Sequence, residues 1–226
     1  ATRRLQHKVT ASYDDAAAHG MALAKAEGRI LIHPYDDPDV IAGQGTVAME
    51  LMAQHPGRLD AVFIPVGGGG LAAGMVTYLK ALDPSVRVIA VEPDDAACLK
   101  AAMLLGEPVR LDHVGIFVDG CAVRQIGALP FELLRRRIDE VITVDSDQVC
   151  AAIRDIFEDT RSIVEPAGAL AVAGIKRWCA DNPGVGRNFA AVLSGANMNF
   201  DRLRYVSDRA AVGEQHEALF GVTIPE

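Results

Sequence analysis

The 226 residues contain four cysteines, and no two form a C-x-x-C pair: Cys98, Cys121, Cys150 and Cys179 lie 23, 29 and 29 positions apart. Zinc knuckles and dithiol redox pairs need closely spaced thiolates, so both are excluded. The histidines, His7, His19, His33, His55, His113 and His216, form no metal-spaced pair either. No run approaches about 18 uninterrupted apolar residues, and the N-terminus lacks the apolar core of a signal peptide. Basic charge is in deficit: Lys+Arg 22 against Asp+Glu 30 gives −8, a poor balance for nucleic acid or an anionic membrane. The one basic run, Arg135-Arg136-Arg137, ends a predicted helix, where it complements the dipole and faces water. No internal repeat or low-complexity segment occurs. These absences leave a soluble cytoplasmic protein as the expectation, with apolar segments around three of the cysteines marking core thiols.

What is present points to a packed α/β domain. Half the residues are apolar and 23% are charged, enough for a sizeable core. Strand-like runs at 61–66, 86–91, 140–144 and 189–193 alternate with helical patterns at 71–82, 94–105, 147–159 and 166–180. Apolar strands alternating with helices predict a mostly parallel sheet covered on both faces. Asp37-Pro38 and Glu165-Pro166 place a proline at the first helical position, and Asp145-Ser146-Asp147 offers capping oxygens. Residues 16–27 read as an alanine-rich helix, followed by Gly28, a short strand at 29–32 and a break at His33-Pro34. A strand-like stretch at 219–224 closes the chain.

The most informative segment is Val66-Gly67-Gly68-Gly69-Gly70-Leu71, between a buried strand and a helix start. A parallel sheet places its ligand crevice at such a junction. Glycines let the backbone approach an anion, and the helix start offers unpaired N–H groups and a favourable dipole. A flexible turn seldom needs four consecutive glycines, each of which costs entropy on folding. A phosphate site is the expectation, and its identity is open. Gly67-x-Gly69-x-x-Ala72 fits the dinucleotide fingerprint, with Glu92 placed as a ribose-binding acid, so an NAD-binding domain is a rival. A Walker loop is excluded, because no Gly-Lys-Ser/Thr follows.

The segment from Val66 to Gly74 resembles the loop that binds the phosphate of pyridoxal 5'-phosphate (PLP) in threonine and serine dehydratases and serine racemase. His33-Pro34-Tyr35-Asp36-Asp37-Pro38 through Gly43-Gln44-Gly45-Thr46 is similar to that family's entry into its large domain. Val91-Glu92, Gly120, Thr143-Val144, Val164-Glu165-Pro166 and Leu193-Ser194-Gly195-Ala196-Asn197 follow in the family's order. Leu203 to Arg209 and Val222-Thr223-Ile224-Pro225-Glu226 narrow the resemblance to biosynthetic threonine ammonia-lyases.

The resemblance implies the PLP fold type II, like the tryptophan synthase β-subunit, and incomplete here. Residues 1–33 would be a remnant of the small domain and 34–212 the large PLP-binding domain. Residues 213–226 would be a linker toward an absent regulatory domain. The backbone N–H groups of Gly67, Gly68, Gly69, Gly70 and Leu71 would bind the cofactor phosphate. Ser194 would hydrogen-bond the pyridine nitrogen, and Gly120 would leave room for one ring face. The implied substrate is a small amino acid, L-threonine, deaminated to 2-oxobutanoate for isoleucine biosynthesis. The implied assembly is a homo-oligomer, a tetramer in the family.

Three departures bear on this. Ala167 stands where the family commonly has serine, and the 92–98 stretch is one residue shorter than the racemase version that helps bind a divalent ion. No metal is therefore assigned, and Glu92 is expected at a strand end facing solvent or at a helix start. The cofactor-binding lysine of the family, in a Ser-x-Lys-x-Arg context, has no counterpart among Lys8, Lys25, Lys80, Lys100 and Lys176. Without it no base stands at Cα, so the chain alone is expected to be inactive. A non-catalytic PLP-binding module or partner subunit, and a serine dehydratase or racemase, are the alternatives.

Overall fold

The computed structural model describes residues 13–183, 188–214 and 216–218. They divide into two units, one ending at Pro34 and the other beginning at Tyr35. The described part of the first is a helix, α1 (Tyr13–Glu27), closed by Gly28 at φ 62. The strand expected at 29–32 does not form. Ile30 and Ile32 are 93% and 71% exposed, and an extended segment without a neighbour to bond does not hold as a strand. The strand-like stretch at 219–224 lies outside the described residues.

The second unit is built on a four-stranded parallel sheet in the order β3-β2-β1-β4. Its strands are β1 (Ala61–Pro65), β2 (Arg87–Pro93), β3 (Glu140–Val144) and β4 (Phe189–Ala191). β1 pairs with β2 from Ala61 opposite Arg87 to Pro65 opposite Val91, and on its other side sets Phe63 against Ala191. The helices are α2 (Pro38–Gln54), α3 (Gly70–Leu82), α4 (Cys98–Leu105), α5 (Ala128–Leu134), α6 (Ser146–Thr160), α7 (Pro166–Asp181) and α8 (Arg202–Gly213).

Each central strand feeds two cores, because successive side chains leave a strand on opposite faces. Phe63, Ile89 and Val91 enter a core with α6, α7 and α8. Val62, Ile64, Val88 and Ala90 enter a second core with residues of α2, α3, α4 and α5. Burial on both faces explains the unbroken apolar runs of these strands. Phe63 also anchors an aromatic cluster, its ring edge-on to Trp178 at 6.3 Å and to Phe189 at 5.6 Å.

Two expectations are corrected here. The single helix read at 94–105 is interrupted: Asp94–Ala96 forms a 3-10 turn and α4 starts anew at Cys98. Glu92 causes the second start by accepting hydrogen bonds from the amides of Leu99 (2.7 Å) and Lys100 (2.8 Å). β4 stops at Ala191, short of 193, and α8 was not anticipated as a helix. Two glycines set the α2–α3 packing: a Cβ on Gly74 would lie 2.3 Å from the Ile41 carbonyl oxygen, and one on Gly45 3.2 Å from that of Gly74.

Candidate functional site

The order β3-β2-β1-β4 reverses at β1. The chain builds outward from β1 to β2 and β3, then returns to place β4 on the free side of β1. In an open parallel sheet the ligand crevice lies at the carboxyl ends of the strands flanking such a reversal. Two loops leave those ends: the glycine loop after β1 and the segment carrying Ser194 after β4.

The glycine loop leads into α3, and its glycines answer to close neighbours. A Cβ on Gly68 would fall 2.2 Å from the Tyr35 ring, and one on Gly70 would fall 2.9 Å from the Tyr35 backbone. Gly69 has φ +91, and its Cβ would lie 2.6 Å from the Ile126 side chain. On Gly67 a Cβ would come 2.9 Å from Cys121. Side chains are thus excluded along the whole bend, because Tyr35, Ile126, Pro130 and Cys121 pack against the positions a Cβ would take. Leu71, the second residue of α3, is half-buried.

The start of α3 differs from those of four other helices. Asp37 accepts from the amides of Asp39 and Val40 at the head of α2, and Asp145 forms a capping box with Gln148 at α6. Glu92 serves α4, and Asp36 accepts from Ala128 and Leu129 at the head of α5, both at 2.9 Å. Each of these helices has a carboxylate on its first amides, where the dipole favours negative charge. At α3 the cap position is Gly69, which has no side chain to offer. Its first-turn amides are the groups that a helix leaves without internal acceptors.

The residues expected to bind cofactor are brought together through a few shared neighbours. Beside Gly67 lies the Gly120 carbonyl oxygen, 3.3 Å from where a Cβ would be. Gly120 in turn faces Ala167, whose Cβ would be 2.8 Å from one built on the glycine. The hydroxyl of Ser194 donates to the Ala167 carbonyl at 3.3 Å. Glu165 fastens the segment after Ser194: its amide donates to Gly195 (3.1 Å), and its carboxylate accepts from the amide of Asn197 (3.0 Å). Gly67, Gly120, Ala167 and Ser194 therefore form one continuous row.

Several contributors were not identified from the sequence. Glu165 was read as a helix start and as part of the Val164-Glu165-Pro166 motif, with no sign that its carboxylate clamps the Ser194 segment. Tyr35 and Ile126 wall the bend from 33 and 57 positions away from Gly68 and Gly69, a distance no local pattern reveals. Glu92 stands at the helix-start alternative and is fully buried, against the expectation of solvent. Burial raises its pKa to about 7, while the amides of Leu99 and Lys100 and the Cys98 thiol pull it down. With its oxygens engaged at α4, Glu92 is not free to bind a ribose, which removes the support for a dinucleotide domain. Cys98, Cys121 and Cys150 are buried as expected, and Cys179 is exposed. Burial pushes the Cys121 and Cys150 thiols up to about 12, so neither is a nucleophile. Among the described residues no group of three or more His, Cys, Asp or Glu is placed to hold a metal ion. No helix of the described residues is long and apolar enough to cross a membrane.

Comparison with known proteins adds independent evidence. A family model described as "Pyridoxal-phosphate dependent enzyme" matches residues 4–195. The chain is 51% identical over 216 residues to the biosynthetic L-threonine dehydratase IlvA of Burkholderia multivorans, covering 95% of this chain and 42% of that protein. It is 53% identical over 216 residues to the Escherichia coli protein of the same description, covering 96% of this chain and again 42% of the relative. The chain thus spans less than half the length of these relatives. Among solved structures, the processed form of threonine deaminase isoform 2 from Solanum lycopersicum superimposes with a TM-score of 0.85 at 40% identity. The match covers 88% of this chain and 57% of that one. Maize serine racemase superimposes with a TM-score of 0.78 at 28% identity, covering 92% of this chain and 63% of that one. The parallel sheet flanked by helices is the fold type II arrangement of these enzymes.

Proposed function

Because this chain belongs to the pyridoxal-phosphate dependent enzyme family, we propose that its glycine loop holds the phosphate of PLP. In the whole protein this site serves a biosynthetic threonine ammonia-lyase, which converts L-threonine to 2-oxobutanoate and ammonia. The observation that carries the reading is the start of α3, where Gly69 stands at the position that Asp37 and Asp145 fill at α2 and α6. A bound phosphate supplies the negative charge that those carboxylates supply elsewhere.

The cofactor, when bound, contributes a ring that delocalises negative charge from the substrate Cα. The protein's part is to hold and orient it. Amides of Gly67 to Gly70 and of Leu71, at the positive end of α3, would bind the phosphate. Ser194, whose hydroxyl is held only by a long bond to the Ala167 carbonyl at 3.3 Å, would donate it to the pyridine nitrogen. A neutral hydroxyl there leaves that nitrogen largely unprotonated and the ring a moderate electron sink, which suits elimination of a β-hydroxyl. Gly120 would leave room for one ring face. Proton removal at Cα falls to a lysine outside these 226 residues, since none of the five lysines present has the family's context. The high identity to threonine dehydratases favours threonine over serine as substrate. A tetramer in the cytoplasm, which the family resemblance implies, completes the proposal.

The test is a PLP titration of the 226-residue chain, followed by cofactor absorbance, beside a Gly69→Asp variant. Binding to the parent chain and its loss in the variant are expected; equal binding by both removes the phosphate role from the loop. A whole-length protein carrying the lysine is then assayed with L-threonine. PLP binding without turnover there would favour a non-catalytic binding module.

A further inference from the structure

The glycine loop is held by a segment far from it in the chain. The Gly127 amide donates to the carbonyl oxygen of Gly68 at 3.1 Å. The residues around that amide pack on the next position of the bend: a Cβ on Gly69 would lie 2.6 Å from the Ile126 side chain and 2.9 Å from that of Pro130. Gly127 is also the cap position of α5 and has no side chain to offer. Asp36 supplies the cap instead. One of its carboxylate oxygens accepts from the Ala128 amide and the other from the Leu129 amide, both at 2.9 Å. Resting on the PLP reading above, we propose that Asp36 is a positioning residue for the phosphate loop. By fixing the head of α5 it holds the Gly127 amide on the Gly68 carbonyl, and so aims the Gly69 amide that would meet the phosphate.

The aim follows from the planar peptide. The Gly68 carbonyl and the Gly69 N–H belong to one trans peptide unit, in which C=O and N–H point in opposite directions. With the carbonyl bonded to Gly127, the Gly69 N–H is turned away from that donor. Two glycines flank this peptide, and Gly69 sits at φ +91, so the backbone itself resists rotation little. A bond from outside the bend therefore decides how the plane lies. That bond is only as steady as the head of α5, a helix of seven residues that is too short to hold its own first turn. Asp36 is seated next to the donor: its Cγ lies 3.0 Å from where a Cβ on Gly127 would be. The preceding residue, Tyr35, packs its ring on Gly68. Tyr35 and Asp36 thus touch the bend directly and fasten the helix head that bonds it.

An amide nitrogen shift responds to hydrogen bonding at the preceding carbonyl, so the Gly69 nitrogen reports on Gly68. Amide NMR spectra of the 226-residue chain are compared for wild type, Asp36→Ala, Asp36→Asn and Asp145→Ala. The last of these loses a cap of the same kind on α6, away from the loop. In Asp36→Ala the Gly69 nitrogen is expected to shift, and the Gly127 amide to exchange faster with solvent together with Ala128 and Leu129. Asp36→Asn keeps one acceptor oxygen and should move Gly69 less; it carries the test if the alanine variant does not fold. Asp145→Ala should leave Gly69 and Gly127 as they are. A folded Asp36 variant with Gly69 unmoved overturns the proposal. PLP affinity is the second readout: it should fall about two- to thirtyfold in Asp36→Ala, the range that one lost cap spans, and hold in Asp145→Ala. Equal losses in the two would trace the effect to general stability and also overturn the positioning role. If PLP does not bind wild type at all, the functional reading fails, and the Gly69 shift with the Gly127 exchange alone decides whether Asp36 sets the loop.

Discussion

Gly168 and Gly195 touch backbone to backbone: a Cβ on Gly168 would lie 2.2 Å from the Gly195 carbonyl oxygen. The first turn of α7 therefore sets the position of the segment that follows Ser194. Gly168→Ala should push that segment away and destabilise the fold by about 1–3 kcal/mol, as overpacking does. Urea unfolding checks the stability, and PLP affinity should fall with it even in the fully folded variant. Unchanged affinity would disconnect α7 from the site.

Ser194→Ala separates a ligand-binding hydroxyl from a turn hydroxyl. The side chain is exposed and its bond to Ala167 is long, so stability should move by no more than about 0.5 kcal/mol. PLP affinity should drop several-fold and the absorbance of the bound cofactor should shift. Variants that bind and absorb like wild type would leave Ser194 with its contact to Ala167 alone.

Glu92 gives a pH dependence of definite sign. Its pKa rises from an ordinary 4.5 to about 7 in the folded state, so the folded chain holds this proton more tightly than the unfolded one. Stability from this group is complete below the unfolded value and declines as the pH climbs through the folded one. The full shift corresponds to on the order of 3 kcal/mol. Denaturant unfolding at about pH 5 and about pH 7.5 should show a smaller decline for Glu92→Gln than for wild type. A decline of the same size in both would remove Glu92 as its source.

Asp145→Ala removes one half of the capping box with Gln148 at the head of α6. The cost should be about 0.5–2 kcal/mol in thermal or denaturant unfolding. This cap lies at the start of a helix on the α7 face, apart from the row of Gly67, Gly120, Ala167 and Ser194. PLP affinity should stay unchanged.

The fold was legible where local chemistry acts locally. Strand β3 ends where its apolar run ends, and Asp37-Pro38, Asp145 and Glu165-Pro166 mark helix starts within a residue. The glycine loop reads as an anion site from its sequence, since four glycines carry a conformational cost, and the structure adds the close packing of Tyr35, Ile126 and Cys121 as a further reason for them. What the sequence withheld depends on distant partners. The break between Asp94 and Cys98 comes from a carboxylate on the preceding strand, and the expected strand at 29–32 lacks a neighbour. The walls that Tyr35 and Ile126 give the loop belong to chain crossings, as does the clamp of Glu165 on Asn197. Periodicity carries no trace of these.

The remote caps on α4 and α5 also bear on the order in which the molecule assembles. α4 has eight residues and α5 seven, lengths at which an isolated helix does not persist in water. Their capping carboxylates come from 7 positions upstream, for Leu99, and from 92 positions upstream, for Ala128. α5 must therefore wait until the chain around Asp36 has docked, and it should be among the last helices to gain protection from hydrogen exchange during refolding.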